Sequence, residues 1–162
     1  MRAILLAVVL ASALPGEATA QTLDQAWAWC RGHDPDRLIR GCTAILRASR
    51  SPDDLARAFF DRGRAWIDLG KYDRAIEDLD RAIKLDPGYP DAFNTRALAK
   101  AGEGQYEQAI ADFDEAIRLD PNYAVAIFNR GLALQTMGRT EEAAKDFARA
   151  KDVGPRLTQP KE

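Results

Sequence analysis

Two stretches of the sequence repeat each other without a gap: YDRAIEDLDRAIKLDP at residues 72–87 and YEQAIADFDEAIRLDP at residues 106–121. A weaker third copy, TEEAAKDFARAKDVGP, occupies residues 140–155. The alanine in the fourth place of each copy recurs at a constant period, as Ala75, Ala109 and Ala143. A fixed period of this length indicates a protein built from stacked copies of one supersecondary unit.

Each copy is predicted to be the second helix of a two-helix unit. Within residues 72–87 the apolar residues fall at i, i+1, i+4, i+7 and i+8, which places them on one stripe of a helix. A proline at the end of each copy prevents the helix from continuing. A glycine column separates the two helices, where a left-handed backbone can end the first one. Its members are Gly70, Gly104 and Gly138.

The length of the period, the columns of small, aromatic and alanine residues, and the Leu-Asp-Pro ending resemble the tetratricopeptide repeat. The resemblance implies an all-α fold, a right-handed α-solenoid of antiparallel helix hairpins. It places three repeats within residues 51–155, and their spans are 56–89, 90–123 and 124–157. Lys100 departs from the pattern by replacing the usual aromatic residue of the second unit.

A degenerate helical hairpin is predicted at residues 21–50, ahead of the repeats. Residues 23–31 are expected to form a short helix. Asp34 and Pro35 are expected to begin a second helix, because Asp caps a helix and Pro suits its first turn. Residues 156–162 are expected to form a flexible tail.

Cys30 and Cys42 are the only two cysteines of the sequence. On neighbouring antiparallel helices of an exported protein they predict one disulfide. The alternative is a metal-binding or redox-active site formed by Cys30, His33 and Cys42. Three ligands fall short of the four that structural zinc sites use, so the disulfide is favoured and no metal is assigned.

Residues 1–20 show the three parts of a secretory signal peptide. They contain a positive start at Arg2, an apolar run over residues 3–14 and a small-x-small cleavage site that ends at Ala20. The apolar run is shorter than the roughly 20 residues needed to span a bilayer. Cleavage before Gln21 is therefore predicted, giving an exported bacterial protein, periplasmic or secreted, with no membrane span after cleavage.

The charge balance and the motif content exclude several functions. The formal net charge is −2, from 23 Lys and Arg against 25 Asp and Glu, which lacks the basic surplus of a nucleic-acid-binding protein. No phosphate-binding loop, nucleophile elbow or zinc-protease motif is present. We therefore expect neither catalytic residues nor a cofactor, and do not expect an enzyme.

The resemblance also implies a partner-binding groove, lined by the first helix of each repeat on the concave side of the array. Arg57 and Arg64 suit an acidic side chain or a C-terminal carboxylate, so one end of the groove is expected to be basic. The opposite end is expected to be apolar. The residues predicted to bind the partner are Arg57, Phe60, Arg64, Asn94, Leu98, Phe128, Leu132 and Gln135.

Some members of the family that the chain resembles hold an acidic C-terminal peptide in a clamp of Lys, Asn, Asn, Lys and Arg. The corresponding residues here are Phe60, Arg64, Thr95, Val125 and Asn129. The clamp is absent, so binding of that kind of chaperone tail is not expected.

These observations predict a protein–protein interaction module or adaptor that binds a peptide or protein in the concave groove, in the bacterial envelope. The alternative is a self-assembling structural protein of the periplasm, a homodimer in which the ends of the array meet. A metal- or redox-active protein is the third and least favoured function.

Overall fold

The computed structural model describes residues 15–154, with side-chain surroundings from residue 23 onward. Over that range the chain is all-α and has no strand, which confirms the predicted array of sequential helix hairpins. Its helices are α1 (Pro15–Cys30), α2 (Pro35–Ala48), α3 (Pro52–Asp68), α4 (Tyr72–Leu85), α5 (Pro90–Gly102), α6 (Tyr106–Leu119), α7 (Ala124–Thr136) and α8 (Thr140–Val153).

Local sequence explains where the helices begin and end. The side chains of Asp34 and Ser51 accept hydrogen bonds from backbone N–H groups three residues later and so cap α2 and α3. The first helices of the repeats end at the predicted glycine column. Gly70, Gly104 and Gly138 have φ angles of 67°, 77° and 78°, a left-handed conformation that only glycine adopts without steric cost.

Small residues let the two helices of each hairpin approach closely. Ala75, Ala109 and Ala143 on the second helices are at most 1% exposed. Across from them, a Cβ atom added to Gly63 would lie only 2.8 Å from Leu79 Cγ. The alanines therefore face the core, as the repeat pattern requires, and the hairpins close without gaps.

An arginine–aspartate pair, which the sequence pattern did not reveal, joins the two helices of each repeat, and the same arginine also bonds to the hairpin before it. In the middle repeat, Arg96 donates two hydrogen bonds to the buried carboxylate of Asp112, at 2.8 and 2.6 Å. It donates a third to Asp80 of the preceding repeat, at 2.6 Å. Arg62 and Arg130 occupy the same column of the neighbouring repeats and make the same paired bonds to Asp78 and Asp146. The third bond of Arg130 also goes to an aspartate, Asp114, whereas that of Arg62 goes to the Thr43 hydroxyl.

Lys100, which replaces the usual aromatic residue of the repeat, contacts the same buried aspartate as Arg96. Its Nζ atom lies 2.8 Å from Asp112, so this carboxylate is paired with two cations. In the first repeat Trp66, in the same column, donates its indole N–H to Asp78 at 3.2 Å. Lys100 therefore replaces a neutral donor with a charged one.

The N-terminal hairpin is held by a close helix contact beside the two cysteines. A Cβ atom added to Gly41 would lie 2.5 Å from the carbonyl oxygen of Ala26 and 2.7 Å from the nitrogen of Cys30. Only glycine permits this approach of α2 to α1. Cys30 and Cys42, whose Cα atoms are 4.8 Å apart, lie at disulfide-bonding distance.

The first helix is longer than predicted, because α1 begins at Pro15 rather than near residue 23. It therefore includes the last residues of the predicted signal peptide, whose other residues lie outside the described range, as does the predicted tail at 156–162. Among the helices described, none is long and apolar enough to cross a membrane.

Candidate functional site

The concave side of the array is formed by the first helix of each unit. From one unit to the next, α1, α3, α5 and α7 contact one another, whereas, over the described residues, α2, α4, α6 and α8 do not. The side on which successive units lie closer is the inside of the curve. The first helices therefore line the groove, where the repeat resemblance places it.

The groove contains an open cavity of about 550 Å³ between α3, α5 and the start of α7. It brings together five of the eight predicted residues: Arg57, Phe60, Arg64, Asn94 and Leu98. The other three, Phe128, Leu132 and Gln135, are exposed farther along α7 and do not line this cavity.

The two arginines stand at the N-terminal end of this cavity. The side chains of Arg57 and Arg64 are 58% and 61% exposed, so both are accessible to a ligand. The Arg64 guanidinium lies over the Phe60 ring, 5.8 Å from its centroid. Asp68 and Asp91 also line the cavity, so this end of the groove carries both charges and is not simply basic as the sequence suggested.

Two of the predicted groove residues form its floor. Phe60 is 9% exposed and packs against Tyr89, with ring centroids 4.8 Å apart. Asn94 is 5% exposed and accepts a hydrogen bond of 3.1 Å from Asn129. Both side chains are largely occupied by neighbours in the array, so they shape the cavity more than they offer free contacts.

The C-terminal end of the groove is apolar and open. Leu98 on α5 and Val125, Phe128 and Leu132 on α7 are each between 39% and 47% exposed. Phe128 packs against Phe147 with ring centroids 5.4 Å apart, and about half of Phe128 remains exposed. Exposed apolar patches of this kind mark binding surfaces more often than scattered single residues do.

Asp61 is a groove residue that sequence reasoning missed. Its side chain is 9% exposed, and Oδ2 has no hydrogen-bond partner. Burial raises the pKa of its carboxyl above the ordinary value of 3.8, and the interactions of the carboxylate with Arg57 and Arg64 offset only part of this effect. The sequence did contain one indication of this residue. Asp61 aligns with Thr95 and Asn129 in the other repeats, so the column is polar in all three.

Two tyrosines, Tyr89 and Tyr123, line the cavity from the loops before α5 and α7. Tyr123 donates a hydrogen bond to Asp91. Burial, with the nearby charge of Asp91 as a second cause, raises the pKa of Tyr89 to about 12. Tyr89 therefore remains a neutral hydroxyl at any physiological pH.

A smaller cavity of about 240 Å³ adjoins the N-terminal end of the groove and is lined by Cys30, Arg31, His33 and both groove arginines. The sulfur atoms of Cys30 and Cys42 lie at disulfide-bonding distance from each other, a geometry that suits a disulfide and not two metal ligands. Among the residues that the structure describes, no group of three histidine, cysteine or acidic side chains is arranged to hold a metal ion.

The stacked hairpins and the open groove define a helical-repeat scaffold. Profiles described as TPR repeat match residues 63–102 and 101–138, and a tetratricopeptide repeat profile matches residues 124–154. The chain therefore belongs to the tetratricopeptide repeat family, a scaffold family whose members are typically not enzymes. A comparison with curated proteins gave no match.

Solved structures agree with this assignment. The second repeat domain of Spaghetti (RPAP3), bound to the HSP90 peptide SRMEEVD, is 35% identical over 62% of this chain and 93% of that chain, with a TM-score of 0.60. The second domain of human RPAP3, in complex with the HSP70 peptide SGPTIEEVD, is 35% identical over 65% and 88%, with a TM-score of 0.62. The MamA crystal structure shares the fold at 24% identity, covering 86% and 80%, with a TM-score of 0.74.

Proposed function

We propose that this chain is an interaction module that binds a peptide or an extended segment of another protein in its concave groove. The observation that carries the proposal is the position of its exposed apolar side chains. Of the seven large hydrophobic residues that are exposed in the described range, four lie on the groove face of α5 and α7. Apolar area left open in one trough is stabilised when a partner covers it.

The similar structures support this use of the groove, because two of them were solved with bound peptides. The partner itself is expected to differ. At the five clamp positions this chain has Phe60, Arg64, Thr95, Val125 and Asn129, which do not reproduce a clamp for a chaperone tail. Specificity is instead assigned to the charged end at Arg57 and Arg64 and to the apolar end around Phe128.

Capture from an envelope extract tests the proposal if paired variants are compared. The groove variant carries Arg64→Glu and Phe128→Ala. The matched control carries Lys84→Glu and Leu85→Ala, the same changes at exposed positions on α4, away from the groove. A partner retained by the wild type and the control, and lost by the groove variant, supports groove binding. Equal capture by all three proteins would refute it.

We further propose that the module acts after export to the bacterial envelope. The signal-peptide pattern at residues 1–20 supports export, and a disulfide between Cys30 and Cys42 suits an oxidising compartment. N-terminal sequencing of the protein recovered from the periplasm or the medium tests this. Export predicts a chain that begins at Gln21, whereas an intact chain confined to the cytoplasm would contradict the proposal.

A further inference from the structure

The groove contains a buried carboxylate oxygen that makes no hydrogen bond. Asp61 Oδ2 accepts no hydrogen bond, and its side chain is 9% exposed. An unpaired buried acceptor is unfavourable, because desolvation is not offset by a bond. Retaining such a group lowers the stability of the fold unless something else supplies the donor.

The position of Asp61 points to a ligand as that donor. Its side chain lines both the 550 Å³ groove cavity and the adjoining 240 Å³ cavity. Its nearest cations do not satisfy it. Arg57 Nε lies 3.6 Å from Oδ2 and Arg64 lies 3.9 Å from Oδ1, which are ion-pair distances and not hydrogen bonds.

The charges around Asp61 restrict what the donor can be. A ligand cation at Oδ2 would stand beside the guanidinium groups of Arg57 and Arg64 and be repelled by them. A ligand anion placed at Oδ2 would be repelled by Asp61 itself. A neutral N–H group avoids both penalties, and the main-chain amide is the neutral donor that every peptide offers.

We propose that Asp61 is a main-chain anchor for an extended acidic peptide. Its Oδ2 atom accepts a hydrogen bond from a backbone N–H of the ligand, while Arg57 and Arg64 pair with a neighbouring acidic side chain. Arg57, which is more than half exposed, turns towards the ligand and uncovers Oδ2 as it does so. The inference rests on the proposed groove function and specifies the ligand that the groove takes.

The length of the groove fixes where the apolar part of this ligand lies. The helices α3, α5 and α7 follow one another, and contacting helices are spaced by about 8–10 Å. The distance from the arginines to Phe128 is therefore about 20 Å, or roughly six residues of extended chain. The ligand is a segment of about six residues, with an acidic residue at one end and large apolar residues at the other.

A double-mutant cycle between ligand and protein tests the anchor. The probes are acetylated, amidated hexapeptides with two aspartates at one end and leucine and phenylalanine at the other, made in both chain directions. Each main-chain N–H is replaced in turn by N-methyl. For the wild type, methylation at one position is expected to weaken binding about tenfold, the effect of losing a hydrogen bond to a charged acceptor.

In the Asp61→Ala protein the same N-methyl group should cost nothing, because the acceptor is gone. Asp61→Asn keeps an acceptor oxygen and should restore part of the effect. Asp68→Ala is the matched control, since Asp68 lines the same two cavities but is exposed, and it should retain the full tenfold loss. Circular dichroism checks that each variant is folded.

The outcomes separate the anchor from the groove function. If hexapeptides bind and no N-methyl effect depends on residue 61, the anchor is refuted while groove binding stands. If the wild type binds no hexapeptide in either direction, both the anchor and the proposed ligand class are refuted. Loss of the N-methyl effect in Asp68→Ala as well would also overturn the assignment to Asp61.

Discussion

At the scale of single residues, some of the groove side chains named above have partners within the array, but one buried polar group does not. Phe60 and Asn94 have neighbours within the array, whereas Asp61 has a desolvated carboxylate with an unpaired oxygen. The repeat pattern located Phe60 and Asn94 on the first helices. It gave no weight to Asp61, because a polar residue next to a predicted core position is usually solvated, and burial is decided by the neighbouring hairpin.

The raised pKa of Asp61 has a consequence for stability. Its folded state binds a proton more readily than its unfolded state, so the stability contributed by this residue falls as the pH rises above 3.8 and through the folded pKa. Asp61→Asn removes this loss. We therefore expect the free energy of unfolding of the variant, relative to that of the wild type, to increase as the pH is raised above 3.8. Urea unfolding at several pH values measures this difference. A difference that is constant with pH would contradict the assignment.

The left-handed glycines provide a second residue-scale prediction. Gly104→Ala should destabilise the fold by about 1 kcal/mol or more, because alanine at a φ of 77° brings its Cβ atom against the backbone. Gly88→Ala is the control, since Gly88 is absent from the positive-φ set and an added Cβ meets only ordinary contact distances. Thermal unfolding of both variants checks the difference, and equal effects would argue against the predicted cause.

At the scale of helices and hairpins, the sequence predicted the repeat helices well and their connections less completely. The constant period, the glycine column and the terminal prolines located them because these are local signals. The arginine–aspartate pairs were not predicted. Arg96 and Asp112 are 16 residues apart on different helices, and nothing local distinguishes them from solvated charges. Gly41 was missed for the same reason, since its role depends on α1.

Removing one of the arginine–aspartate pairs should lower the free energy of unfolding. Arg96→Met leaves the buried carboxylate of Asp112 without its bidentate partner, and a loss of about 3 kcal/mol in unfolding free energy is expected. Arg118→Met removes an exposed pair with Glu115 on a single helix and should change stability little. Chemical denaturation compares the two. A small effect of Arg96→Met would show that Lys100 alone satisfies Asp112.

The predicted disulfide between Cys30 and Cys42 would constrain the N-terminal hairpin. It closes a loop with a sequence separation of 12 residues, so its removal by Cys30→Ala with Cys42→Ala should destabilise the protein by about 2–3 kcal/mol. A thiol count on the denatured, unreduced wild type should give no free thiols. Two free thiols would contradict the bond.

At the scale of the whole molecule, the curvature of the array brings side chains of successive repeats together on one surface. The first helices contact one another across units and the second helices do not over the described residues, so exposed residues of α5 and α7 converge on one trough. The family resemblance anticipated this surface. The expectation of a basic end gave weight to the arginines alone, although Asp68 and Asp91 occupy groove columns of their repeats and line the same cavity.

The most direct test of groove binding is amide chemical-shift mapping while the acidic–apolar hexapeptide is titrated into the labelled protein. The proposed function predicts shifts concentrated on the exposed faces of α3, α5 and α7, from Arg57 and Asp61 at one end to Phe128 and Leu132 at the other. Shifts concentrated on α4, α6 and α8 would contradict it.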